Sequence, residues 1–164
     1  MSSRLFRVGR SATGLGLFAT KAIKRAAYIA TYRGRRISTA ESEKRERRGA
    51  KYMFELSPQW VIDGSPRWNV ARYMNHSCEP NAKPLVRRGR IVFLALRTIE
   101  PGEEITYDYG REYFDYFLKD GGCRCTSCRA PEWRAPRPAT SNSTQRSRAA
   151  NRHSTRIGTS AGAP

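Results

Sequence analysis

Short stretches of aliphatic, β-branched and aromatic residues, each closed by a turn signal, fill most of the first hundred positions of this chain. "LFRVGR" (5–10) and "GLFAT" (16–20) predict two strands around the turn-rich "SATGLG" (11–16). "AYIATYRGRRI" (27–37) predicts a third, broken at Gly34. "YMFELSPQWVID" (52–63) predicts two strands around Ser57–Pro58, and "NAKPLVRRGRIVFLALRTI" (81–99) a hairpin that turns at Arg88–Gly89. "PGEEITYDYG" (101–110) opens on a turn and runs into a short strand.

Helical signals are fewer. "STAESEKRERRG" (38–49) has Ser38 and Thr39 as candidate caps, Glu41 and Glu43 early, arginines late and Gly49 as a stop, which predicts a short charged helix. "WNVARYMNHSC" (68–78) reads as a helical turn leading into a loop, and "REYFDYFLKDGG" (111–122) as a brief amphipathic helix or loop. Many short strands with few helices predict a mainly β domain.

Composition sets the limits of that domain. The chain has 164 residues, room for one core, and its apolar content of 38% is low for a fully packed chain. Residues 134–164 hold six arginines, no acid and almost no large apolar side chain. They cannot bury enough surface to offset their ordering entropy, and a disordered basic tail is expected there. No apolar run reaches membrane-spanning length, and the first residues lack the hydrophobic segment of a secretory signal, so an intracellular location with reduced cysteines is expected.

Charge adds two readings. The net charge is +17, and without the tail 25 basic residues still face 14 acidic ones. Such a balance suits an anionic partner, and the tail is a candidate for nucleic-acid contact. Yet Glu100, Glu103, Glu104, Asp108, Glu112, Asp115 and Asp120 crowd one window against only Arg111 and Lys119. These acids either form a face for a cationic substrate or offset neighbouring arginines within the fold.

The four cysteines are Cys78 and the cluster Cys123, Cys125 and Cys128. As thiolates the clustered three suit tetrahedral zinc, which needs a fourth donor. Cys78 is the one cysteine left to supply it, and His76 is a competing donor. Free or disulfide-bonded thiols are the alternative use.

"GLGLFAT" (14–20), "RYMNHSCEPN" (72–81), "GEEITYDYG" (102–110) and "CRCTSC" (123–128) together resemble the SET-domain protein lysine methyltransferases with a post-SET zinc motif, over about residues 4–133. The resemblance implies a fold of small curved β-sheets with short helices and a C-terminal pseudoknot, in which the last strand passes beneath the "NHS" loop. It implies a SET domain over 1–110, a post-SET zinc segment over 111–133 and the tail over 134–164. It implies S-adenosylmethionine as methyl donor, a lysine of a basic, histone-like tail as acceptor, and one zinc ion on Cys78, Cys123, Cys125 and Cys128.

Residue by residue, the same likeness assigns catalytic roles to Tyr109, Tyr107 and Tyr52. Tyr109 matches the tyrosine beside the transferring methyl group. Tyr107 matches the position whose hydroxyl restricts the number of methyl groups, which favours mono- or dimethylation. Gly14, Leu15, Gly16, Leu17, Tyr32, Tyr52, Arg72, Asn75, His76, Tyr109 and Trp133 are the implied cofactor contacts. Arg35, Arg67 and Trp68 depart from the family pattern, and the insert between Ile37 and Tyr52 is short. A second reading, of a different class, is a catalytically silent zinc-bearing SET module that binds chromatin or nucleic acid.

Overall fold

In the computed structural model, which describes residues 5–115 and 122–129, three pairs of the expected strands form hairpins across their turns and the others pair with partners distant in sequence. Strand β1 (Phe6–Ser11) and β2 (Gly14–Ala19) form an antiparallel hairpin in the register Phe6↔Ala19 to Ser11↔Gly14. Strand β3 (Tyr28–Tyr32) ends two residues before β4 (Arg35–Ser38) begins, and the two belong to different sheets. Gly34 makes that switch possible: a Cβ there would sit 1.9 Å from the Asp63 carbonyl oxygen.

Helix α1 (Thr39–Arg47) follows. The Ser38 hydroxyl accepts from the Glu41 N–H at 3.2 Å, which is the N-cap the sequence offers. Thr39, the other candidate, donates its hydroxyl to the Pro58 carbonyl instead. The helix is polar nearly all round and buries Ser42. Arg45 fastens it to its surroundings by binding Glu41 and Asp63, each at 2.8 Å.

Strands β5 (Met53–Ser57) and β6 (Trp60–Asp63) complete a three-stranded sheet of order β4-β6-β5. A 3-10 turn (Val70–Tyr73) leads to the two-residue strand β7 (Asn75–His76). Strands β8 (Ala82–Arg87) and β9 (Arg90–Ala95) form the expected hairpin, and β9 also pairs with β3 in a sheet of order β3-β9-β8. Strand β10 (Thr106–Tyr107) pairs in parallel with β7. The brief α2 (Arg111–Tyr113) and α3 (Thr126–Arg129) follow.

The main core lies where these sheets meet. Leu17, Ile91, Phe93, Ile99 and Ile105 are completely buried, joined by Ile29, Phe54 and Met74. Burying one such side chain stabilises the fold by about 1.5–3 kcal/mol.

The C-terminal strand is gripped on both edges. The Ile105 N–H donates to the Leu17 carbonyl at 2.7 Å, while Thr106 and Tyr107 pair with Asn75 and His76. Buried Asn81 closes the passage: its amide nitrogen donates to the Glu104 carbonyl at 2.7 Å, and its oxygen accepts from the Thr106 N–H at 2.9 Å. This is the threaded arrangement expected of the pseudoknot. It brings residues 103–109 against both the first hairpin and the "NHS" segment. Trp133 and the basic tail lie outside the described residues.

Candidate active site

A cavity of about 890 Å³ opens between the first hairpin, β5, the 3-10 turn, β10 and the cysteine segment. Its wall brings together Leu15, Tyr32, Tyr52, Arg72, Asn75, His76, Tyr107 and Tyr109, with Cys123 and Cys125 at one side. Three predicted cofactor contacts are absent from that wall. Leu17 is fully buried, and its carbonyl is engaged by the threaded strand. Gly14 closes the β1–β2 turn. At Gly16 a Cβ would meet the Glu104 carboxylate at 2.4 Å, so the missing side chain makes room for Glu104.

Glu104 accepts from Ser11 Oγ at 2.8 Å and from Asn75 Nδ2 at 2.7 Å. Asn75 Nδ2 also donates to the Leu15 carbonyl at 3.1 Å. Both amide hydrogens of Asn75 are therefore engaged, and its Oδ1 can act toward a ligand only as an acceptor.

The aromatic side of the site is continuous with the core. Ring centroids step from Tyr32 to Phe54 (5.0 Å), from Phe54 to Tyr107 (5.9 Å), from Tyr107 to Tyr109 (4.7 Å) and from Tyr109 to Tyr113 (4.7 Å). Phe93 supports Tyr107 from below at 4.9 Å. The Tyr109 hydroxyl donates to the Met74 carbonyl at 2.8 Å, and that of Tyr32 to the Tyr52 carbonyl at 2.8 Å. Burial, aided by neighbouring tyrosines, raises Tyr109 and Tyr107 well above the usual phenol range. Both stay protonated at neutral pH, so neither is a general base. With its proton on Met74, the Tyr109 oxygen offers lone pairs.

Tyr52 has a φ of 68° and is 42% exposed, with the Arg72 guanidinium stacked over its ring at 3.9 Å. Arg72 also donates to the Ser65 carbonyl, while its Nε is buried with no hydrogen-bond partner among the described residues. An unmatched guanidinium N–H beside a cavity fits a carboxylate ligand.

His76 joins the two sides. Its Nδ1 accepts from the Tyr109 N–H at 3.2 Å, so the proton of the neutral ring belongs on Nε2, which lies 3.4 Å from Cys78 Sγ. The Asp108 carboxylate is 3.6 Å from the same Nδ1, past hydrogen-bond range.

The four thiol sulfurs lie within 4.8 Å of one another, and no disulfide links them. Cys78 Sγ is 3.4 Å from Cys128 Sγ and 3.8 Å from Cys123 Sγ. A zinc ion with bonds of about 2.3 Å spaces its four sulfurs ~3.8 Å apart, so the set fits tetrahedral zinc with no place needed for His76. Burial pushes the Cys78 thiol up to about 12. At Cys125 burial acts in the same sense, but backbone N–H groups of Cys78 and Cys128 prevail and bring it to about 7. Four crowded thiols cannot all ionise unless a cation offsets their charge.

Tyr113, Glu46 and Arg124 are among the further residues that reach the cavity without having been singled out by their sequence context. Tyr113 arrives because α2 turns the chain back one helical step after Tyr109. Glu46 and Arg124 enter from α1 and from the cysteine segment. Two acids of the acidic window are engaged inside the fold: Glu103 binds Arg97 and Asn81, and Glu104 binds Ser11 and Asn75. Of the two uses left open for the acidic window, Glu103 and Glu104 follow the internal one and serve as struts of the fold.

The family model of the SET domain matches residues 14–110. The chain belongs to the SET-domain family. It is 37% identical over 129 residues to the histone-lysine N-methyltransferase trithorax of Drosophila virilis, covering 73% of this chain and 3% of that protein. It is 42% identical over 106 residues to the histone-lysine N-methyltransferase set-2 of Caenorhabditis elegans, covering 58% of this chain and 7% of the relative. A solved Polycomb Repressive Complex 2 from Chaetomium thermophilum, bound to S-adenosylmethionine in an autoinhibited conformation, aligns with a TM-score of 0.59 at 31% identity, over 66% of this chain and 15% of that one. The SET chain described here thus spans only 3% of one curated relative and 7% of the other. Among its described residues no helix is long and apolar enough to cross a membrane.

Proposed function

We propose that this SET domain is an S-adenosylmethionine-dependent protein lysine N-methyltransferase, acting on a basic, histone-like tail and adding one or two methyl groups. The observation that carries the reading is the position of Tyr109. Its phenol closes a buried aromatic wall, keeps its proton on Met74 and turns acceptor capacity toward the cavity that Arg72, Asn75 and His76 share.

S-adenosylmethionine, when bound, supplies an activated methyl group. Arg72 Nε–H suits its carboxylate, and Asn75 Oδ1 suits its ammonium group. Tyr32, Tyr52, Tyr107 and Tyr109 exclude water from an incoming lysine. Desolvation lowers the pKa of that amine from about 10.4 and so favours the neutral, attacking form. The Tyr109 oxygen can hold the polarised methyl through weak C–H···O contacts. Tyr107, packed between Phe54, Phe93 and Tyr109, limits the room for further methyl groups. Zinc on Cys78, Cys123, Cys125 and Cys128 would hold the cysteine segment against His76.

The test is transfer of labelled methyl groups from S-adenosylmethionine to a panel of core histones and other basic proteins, with Tyr109→Phe alongside. Transfer by the wild type and its loss in the variant are expected. No transfer to any protein, together with no cofactor binding by calorimetry, overturns the reading. Mass spectrometry of the product checks the methylation state, and abundant trimethyl-lysine would remove the restricting role from Tyr107.

A further inference from the structure

Helix α1, which fills the short stretch between β4 and β5, places one carboxylate where the fold itself gives it little support. Glu46 stands among the last-turn residues Lys44, Arg45 and Arg47, at the helix end where the macrodipole favours cations. Its side chain is half-buried, and it lines the cavity beside Ala50, Lys51 and Tyr52. It bonds to Ser42, and it forms no ion pair among the described residues. Arg45, its neighbour on the helix, is held by Glu41 and Asp63. Burial, with Glu43 nearby, raises the Glu46 carboxyl to about 7, and no lysine or arginine acts to lower it. An acid held at the unfavourable end of a helix, partly desolvated and without an ion pair among the described residues although Lys51, Arg67 and Arg124 line the same cavity, breaks local rules that natural folds break at functional sites.

At about 890 Å³ the cavity lies near the top of the about 300–1,000 Å³ that small-molecule sites span. We infer that Glu46 is a subsite for a cationic side chain flanking the target lysine. This deepens the methyltransferase reading and rests on it. Positive charge elsewhere on the surface repels a basic peptide, and Glu46 supplies a local, partly dehydrated attraction that selects arginine or lysine next to the modified residue.

The experiment uses the full chain saturated with S-adenosylhomocysteine and two short labelled peptides, identical except for arginine or glutamine on both sides of one lysine. Fluorescence anisotropy should show about tenfold tighter binding of the arginine-flanked peptide, as one charge-assisted contact gives. Glu46→Gln should erase most of that preference while cofactor affinity, measured by calorimetry, stays unchanged. Glu46→Arg should favour a third peptide with glutamate flanks. The proposal is overturned by a preference that survives Glu46→Gln, by no preference or no peptide binding in the wild type, or by loss of cofactor affinity in the glutamine variant. Methyl transfer to histones by the same wild-type sample separates these outcomes from failure of the methyltransferase reading.

Discussion

Tyr109 and Cys78 lie at opposite nitrogens of one imidazole, that of His76, yet different forces hold the two sides. On the Tyr109 side, Tyr32, Phe54, Phe93 and Tyr107 are rooted in the main core, and each ring adds hydrophobic burial to a structure that folds from its own sheets. On the Cys78 side, the segment 122–129 contains a helix of four residues, too short to be stable by itself. Its described contacts with the SET core centre on sulfur, such as the Cys78 N–H to Cys125 Sγ bond at 3.5 Å. One half of the site is thus built by folding, and the other, on the zinc reading proposed above, by ligand chemistry. Perturbations should separate them.

The largest effect expected is on the aromatic half. Tyr109→Phe removes the acceptor oxygen and should lower kcat about 10²–10³-fold, comparable to losing one preorganised polar group. The melting temperature should fall by no more than a few degrees, because the loss is one hydrogen bond worth about 1 kcal/mol. Steady-state kinetics and a thermal melt check both.

Zinc removal by a chelator, or Cys78→Ser, should act on the cysteine half instead. Metal analysis should find one zinc per chain in the wild type. Its loss should cut activity about tenfold or more by loosening the 122–129 segment, while the main thermal transition of the SET core stays in place. If chelation leaves activity untouched, the link between the cysteine corner and the site is wrong.

Gly16→Ala probes the seam between the halves. Its Cβ would collide with Glu104, so destabilisation of about 1–3 kcal/mol is expected in denaturant unfolding. In a Glu104→Ala background the same change should cost far less, giving a coupling of about 1 kcal/mol or more. Additive effects would mean that Gly16 answers to something other than Glu104.

The smallest effect concerns pH. Arg97, helped by Asn81 and the Glu100 N–H, holds the Glu103 carboxyl at about 2, below its unfolded value. A depressed carboxyl contributes stability that is complete above the unfolded pKa and lost as pH falls through the folded one. Acid unfolding should therefore steepen from about pH 4.5 down to 2, the span between the two values. Glu103→Gln should flatten that span, read by circular dichroism, and should leave the cysteine corner unaffected.

Much of the site was legible in residue order. Strand–turn spacing, the Ser38 cap and the hairpin at Arg88–Gly89 are local choices, and local propensity decided them. Cys78 could be matched with its three distant partners because metal chemistry requires a fourth donor whatever the intervening chain does. The use of "GLG" was not legible. Gly14 and Gly16 look the same in sequence, but the neighbour that fills the space at Gly16 is Glu104, far along the chain. The acidic window left two uses open for the same reason, since the partners of Glu103 and Glu104 are chosen by the threaded strand.

The sequence by itself determined a mainly β chain, a SET-domain resemblance, the tyrosines of the site and a four-cysteine set. Only the tertiary structure decided which face each of them meets. Threading β10 between β2 and β7 put Tyr109 beside His76 and placed Glu104 under Gly16, and the packing of α1 set Glu46 on the cavity wall with no ion pair among the described residues. Periodicity and capping act within a few residues, whereas these contacts depend on long loop closures that no local pattern records.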